Sequence, residues 1–376
     1  MALAASLISM WAAISVALAE IIVGAIAGNV IGMPLTPWIN YLAGFGAILL
    51  TFLAGAEIDL DVVRKHIGST VSIGVMGFAA PYIGCLLLAR FGLHWPWPQA
   101  QIAGIALSTT SVAVVYAVMV ETGLNRTEVG KVILAACFIN DLGTVLALGV
   151  VFANYNIWLV AFGIVTIAVC CALPFVSPWF FRKVGERVSE PSLKFLLLIL
   201  FALGGFAMAV KSEAVLPAYV VGMALAPAFK QSPDLPMRLR VISFTALTPF
   251  YFLKAGSLVE GSVLIGSAGL IILFLATKMV TKFAGILPLT RFFSFGNREG
   301  MYTTLMMSTG LTFGTISALF GLTNHIIDQT QYTILVVGVI GSAVVPTMIA
   351  QAWFRPTSGE IKATGAKQLA TNSEIT

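Results

Sequence analysis

"ACFINDLGTVLAL", residues 135–147, sets an amide and a carboxylate side by side, Asn140 and Asp141, in a run with no other charged side chain. Whether that run is a soluble core helix or a membrane span decides the fold. Of the 376 residues, 59% are hydrophobic and 10% charged, against about a quarter charged in soluble domains. Apolar stretches of about 20 residues recur along the chain, each long enough to cross a hydrocarbon layer of about 30 Å as a helix. The alternating strands of about 10 residues that would mark a β-barrel are missing from the pattern. The chain therefore reads as an all-α, polytopic membrane protein with the lipid bilayer as its solvent.

Apolar runs between polar or Pro/Gly punctuation predict twelve helices, near 4–32, 37–57, 68–91, 98–121, 128–152, 157–180, 192–211, 214–228, 241–257, 262–287, 300–320 and 327–354. They make one transmembrane domain, 1–354, followed by a polar tail, 355–376, expected to be disordered and cytoplasmic. With the N-terminus inside, 16 of the 21 basic residues fall in or beside inner loops, the bias that sets topology in membranes. Both termini are then cytoplasmic, and "HWPWP" (94–98) and "NYNIW" (154–158) supply aromatics at the outer surface. The net charge of +5 is spread through short loops rather than gathered in a stripe, which argues against nucleic acid as a partner. A positive region ahead of the first apolar run is missing, so no cleavable signal is expected. Cys85, Cys137, Cys170 and Cys171 all fall in apolar runs without metal-ligand spacing and read as small buried hydrophobes.

Twelve spans divide into two sets of six, and each set carries an interrupted segment. "STTS" (108–111) breaks the fourth span and "STGLTFGT" (308–315) the eleventh. Paired breaks of small polar residues are what an inverted 6+6 repeat with discontinuous helices predicts. Hydroxyls bonded back onto their own helices are the plainer explanation of either break alone.

Six ionisable residues remain inside predicted spans: Glu20, Glu57, Asp141, Lys254, Lys278 and Lys282. Buried charges are costly unless paired or hydrated. Asp141 lies near mid-span, where a short side chain cannot reach water, so it must face a cavity or a partner. Asn140 and Thr144 add an amide and a hydroxyl beside it, hard oxygen donors suited to Na⁺ or another monovalent cation, or to a proton. Lys278, in "LATKMVTKFAG" (275–285), is the expected counter-charge. Lys282 lies one turn on, with a stem long enough to snorkel to the cytosolic surface, and Lys254 can do the same at the outer end. Glu57 ends the second span beside Asp59 and Asp61, on a face that can be solvated. Glu20, ahead of Gly24, Gly28 and Gly32, fits a structural hydrogen bond or a place on the ion path equally well.

Motifs of nucleophilic, zinc or dinucleotide chemistry are missing, and "GLNRTEVGK" (123–131) has the wrong glycine spacing for a phosphate loop. The chain therefore reads as a transporter rather than an enzyme, with no cofactor expected. A sodium-coupled solute symporter and a pH-sensing cation channel are the rival readings.

The sequence resembles the bacterial monovalent cation/proton antiporter-2 family, in the branch with Asn-Asp where other relatives have Asp-Asp. "FLAGAEIDL" (52–60), "ALSTTSVAVVYAVMVETGLN" (106–125), "FINDLGTVLALGVV" (138–151), "PFYFLKAG" (249–256) and "TKMVTKFAGIL" (277–287) carry the resemblance in order. It implies a core domain, spans of about 68–152 and 262–354, built on two crossed broken helices, with the remaining spans forming a scaffold that pairs two copies as a homodimer. It implies an elevator-like movement of that core in a bacterial inner membrane. Asp141 is then the ion- and proton-binding carboxylate, Asn140 its partner, Thr109 and Thr110 the crossover, and Lys278 the family's basic residue; Glu57 falls on a recurring acid. One departure is expected at Thr312, Phe313, Gly314 and Thr315, which occupy the place of a charged Arg-Gly-Glu cluster in many relatives; Thr312 and Thr315 are accessory candidates there.

Overall fold

In the computed structural model the residues described are 1–12, 15–56, 64–124, 127–152, 157–184, 189–209, 214–231 and 234–356. Among them all regular structure is helical. The first part runs α1 (Ala2–Ala12), α2 (Val16–Ile26), α3 (Pro37–Ala56), α4 (Ile67–Leu87), α5 (Trp97–Ser108), α6 (Val112–Thr122) and α7 (Glu128–Val151). Then come α8 (Ile157–Val184), α9 (Pro191–Ala209), α10 (Val215–Gln231), α11 (Asp234–Ile242) and α12 (Thr248–Ser257). The last part is α13 (Gly261–Gly266), α14 (Ala268–Phe292), α15 (Asn297–Met307), α16 (Thr312–Thr323) and α17 (Gln329–Trp353). Among the described residues, seven helical stretches are long and apolar enough to cross a membrane: 37–56, 67–92, 128–151, 160–184, 268–292, 297–323 and 329–353.

The expected helix over 4–32 is divided in two. Ser15 adopts an extended conformation and its hydroxyl accepts from Leu18 N–H at 3.3 Å, capping α2 as a new helix. The ninth expected span begins early, at Asp234, and passes through one wide turn, Ser243–Leu247, before α12. Pro249 has no N–H to give the Thr245 carbonyl, so the regular ladder cannot run through this point. Residues 57–63, with Glu57, and the tail beyond 356 lie outside the described residues. Arg355 donates to the Thr122 carbonyl at 3.3 Å, at the end of α6.

Buried apolar side chains form two clusters. The larger is centred on α5, α7, α15, α16 and α17, with α4 and α14 packed alongside. The smaller joins α3, α8, α9, α10 and α11. Helices α2 and α12 are joined by backbone contact: a Cβ at Gly24 would strike the Leu253 carbonyl oxygen, and one at Gly256 the Ile21 carbonyl. Only glycine permits that approach.

Candidate functional site: a buried carboxylate at two broken helices

Both interrupted segments are real chain breaks. Helix α5 ends at Ser108, Thr109 is extended (φ −64°, ψ 152°), and α6 starts at Val112. Helix α15 ends at Met307 and α16 starts at Thr312. The two breaks touch, since Ser111 N–H donates to the Thr309 carbonyl at 3.1 Å. Backbone groups freed at such breaks must be satisfied by neighbours, because hydrocarbon offers none.

Asn140 supplies much of that satisfaction from α7. Its Oδ1 accepts from Thr110 N–H at 2.9 Å, and its Nδ2 donates to the Ser108 carbonyl at 3.3 Å. One amide thus serves both a donor and an acceptor of the same break, which a carboxylate could not do. The Thr110 hydroxyl donates to the Met307 carbonyl across the crossing at 2.8 Å and accepts from Lys282 Nζ at 2.9 Å.

The two lysines of α14 hold different atoms. Lys278 donates to the Thr109 carbonyl at 3.2 Å and to Ser342 Oγ of α17 at 2.8 Å. A Cβ at Gly310 would collide with its Nζ, so the second break leaves this ammonium its space through a missing side chain. Lys282, expected to snorkel, is instead fully buried. The Lys278 ammonium sits at the carbonyl end of the half-helix α5, where the helix dipole favours positive charge.

Asp141 is 1% exposed, and its Oδ1 has no hydrogen-bond partner among the described residues. It lines a cavity of about 180 Å³ together with Leu53, Tyr116, Arg240, Thr312 and Phe313. Val112 and Thr312, the first residues of α6 and α16, are both in the wall, so two helix N-termini border the carboxylate. An orphaned, buried carboxylate oxygen is costly unless a proton or a cation occupies it. One carboxylate at two broken helices, beside a space of about 180 Å³, has the chemistry to hold a proton or a cation.

The other expected residues fall at varying distance from this centre. Thr109 is buried in the first break, its hydroxyl donating to Ala106 and its carbonyl accepting from Lys278. Thr144 and Thr315 are buried but spend their hydroxyls on their own helices, on the Asn140 and Leu311 carbonyls. Thr312 is in the cavity wall. Glu20, 2% exposed, belongs to α2, which packs on α12 rather than on the breaks. Sequence reasoning missed Ser342, one serine among many in apolar helices, and Arg240, which it counted only as a loop charge. Tyr219 was also missed; it donates to the Phe138 carbonyl at 2.9 Å and stands edge-on to Phe313, with ring centroids 6.0 Å apart.

Fold and site together define a helical membrane protein organised round one buried carboxylate between discontinuous helices. The chain belongs to the transmembrane sodium/hydrogen exchanger family, whose pattern matches residues 1–355. It is 25% identical over 350 residues to a probable Na⁺/H⁺ antiporter 3 of Methanocaldococcus jannaschii, covering 89% of this chain and 88% of that one. It is 24% identical to a probable Na⁺/H⁺ antiporter, GerT, of Bacillus cereus, covering 85% and 88%. With cation/H⁺ antiporter 18 of Arabidopsis thaliana it is 23% identical, and it spans 44% of that longer protein. The fold is similar to that of the sodium proton antiporter MjNhaP1 of M. jannaschii, with a TM-score of 0.72 at 16% identity, covering 94% of this chain and 97% of that one.

Proposed function

We propose that the protein exchanges a monovalent cation, Na⁺ in the first place, for a proton across a plasma membrane, with Asp141 binding the two in turn. Family membership and its antiporter relatives support the exchange of cation for proton. The observation that carries the mechanism is the partnerless Asp141 Oδ1 in its cavity beside the two chain breaks. If cation and proton compete for one carboxylate, and only a loaded site crosses, coupling follows from that exclusion. Asn140 satisfies backbone without adding a second titratable acid, so each cycle trades one cation for one proton and moves no net charge.

In this reading the twelve spans form two inverted sets of six, with both termini cytoplasmic. The larger apolar cluster moves as the core, elevator-like, against a scaffold that pairs two copies. Lys282 holds the Thr110 hydroxyl at the first break, while Lys278 ties that break to α17 through Thr109 and Ser342. The test is cation-driven dissipation of a pH gradient in proteoliposomes. Wild type is expected to respond to Na⁺, and Asp141→Asn, close in shape, to fall to the protein-free rate. Exchange by Asp141→Asn at the wild-type rate would sink the mechanism.

A further inference from the structure

A second cavity, of about 510 Å³, lies apart from the carboxylate, and Asp141 is not among its lining residues. One wall is α3, α9, α10 and α12; the other is the last two turns of α16, from Ile316 to Thr323, with Asn324 beyond its end. In the proposed topology these segments all lie in the outer half of the membrane. The walls are mostly apolar, with Phe45 and Phe201 stacked at 4.4 Å. Lys254 is the one charged side chain among the described lining residues, and no hydrogen bond or ion pair engages its Nζ there. Beside it Tyr251 is 2% exposed, and its hydroxyl has no partner among the described residues.

An unpaired ammonium in the wall of a mostly apolar chamber is the complement of an amphipathic anion. Asn40, Tyr41, Thr323 and Asn324 add neutral polar groups, but the one charge among the described lining residues is of the wrong sign for a cation path. We propose that this cavity binds a long-chain monocarboxylate of the fatty-acid class, taken from the outer leaflet. Its carboxylate accepts from Lys254 Nζ, and its chain lies along Phe45, Phe201 and Phe320. The volume is in the range of small-ligand cavities, about 300–1,000 Å³. A cavity of about 510 Å³ is sized for one acyl chain, which selects a single-chain monocarboxylate over a two-chain phospholipid. Because α16 forms one wall and also brings Thr312 to Asp141, an occupant fixes α16 against α3 and α12 and slows transport; this last effect rests on the exchange reading.

The test is titration of the full chain, in phosphatidylcholine nanodiscs, with the fluorescent C18 acid cis-parinarate. Wild type should show one saturable site per chain, displaced by oleate and not by phosphatidylglycerol. Lys254→Met and the space-filling Leu319→Trp should each weaken binding about tenfold or more, while Lys254→Arg keeps it. Signal equal to that of empty nanodiscs, displacement by phosphatidylglycerol instead of oleate, or wild-type affinity in both weakened variants would overturn the proposal. Because α3 and α16 sit on opposite walls, a misfolded Leu319→Trp is replaced by Ile48→Trp on α3. The binding readout does not involve transport. A chain that binds oleate at Lys254 but fails to exchange refutes the exchange reading and leaves this site in place.

Discussion

At the scale of single residues, Asp141 and Lys282 form the centre, and each bears a distinct expectation. Lys282 makes one hydrogen bond among the described residues, to the Thr110 hydroxyl, and is fully buried. Lys282→Met removes the donor from an oxygen that also ties the first break to Met307. A charged hydrogen bond of about 1.5–3 kcal/mol converts to a loss of about tenfold to a hundredfold in rate, whereas Lys282→Arg should restore most of it. Initial rates of Na⁺-driven proton release from the two variants, matched for the amount of folded protein, decide this. Competition at Asp141 gives a second expectation with a definite sign. A proton excludes the cation, so on the acid limb the apparent KM for Na⁺ should rise about tenfold for each unit the pH falls, while the rate at saturating Na⁺ holds. A constant KM with a falling maximal rate would place the titration elsewhere. The pair Asn140–Asp141 was legible because polarity is rare in that run. Ser342 and the Met307 and Thr109 carbonyls were not, since backbone oxygens carry no signature and a lone serine in an apolar helix usually bonds to its own turn.

At the scale of elements, the breaks 109–111 and 308–311 were readable because clustered Ser, Thr and Gly disfavour a continuous ladder. Helix α7 also matches its expected range to a residue, Glu128–Val151 against 128–152, because Thr127 caps it through Gly130 N–H at 3.1 Å. The division of the first span at Ser15 was not readable, because an extended serine in an apolar run has the same letter as a helical one. The early start of α11 was missed for another reason: Arg238 and Arg240 looked like loop charge, yet they lie on a helix whose Leu235 and Leu239 are buried one turn apart. Packing of α2 on α12 carries a prediction of its own. Gly256→Val would drive two methyl groups toward the Ile21 carbonyl. Overpacking of this kind costs about 1–3 kcal/mol, and because neither helix supplies a group to the carboxylate site, thermal stability in detergent should fall while the KM for Na⁺ stays unchanged. An altered KM with an unchanged melting temperature would mean that α2 belongs to the transport path.

At the scale of the whole molecule the decisive quantity is charge per cycle. Hydropathy marked the chain as a series of apolar helices, but not which buried group titrates, because that depends on neighbours brought together from α5, α7 and α14. Asn140 removes one acid from the site, while Lys282, fully buried and bonded to the Thr110 hydroxyl of the first break, is an amine and so a second group able to carry a proton. These two features make opposite demands. If Asp141 alone changes its load, one Na⁺ exchanges for one proton, membrane potential does no work on the cycle, and transport stalls when the Na⁺ gradient equals the proton gradient. If Lys282 also releases a proton in each cycle, one net charge crosses, worth about 2.3 kcal/mol per 100 mV, and the stalling Na⁺ gradient shifts about 50-fold at that potential. Proteoliposomes with the potential clamped by K⁺ and valinomycin and a fixed pH gradient separate the two. The site with a single acid predicts the same stalling gradient at 0 and −100 mV in wild type and in any Lys282→Arg variant that still exchanges. A 50-fold shift in wild type that disappears in Lys282→Arg would make the lysine a proton carrier and the exchanger electrogenic.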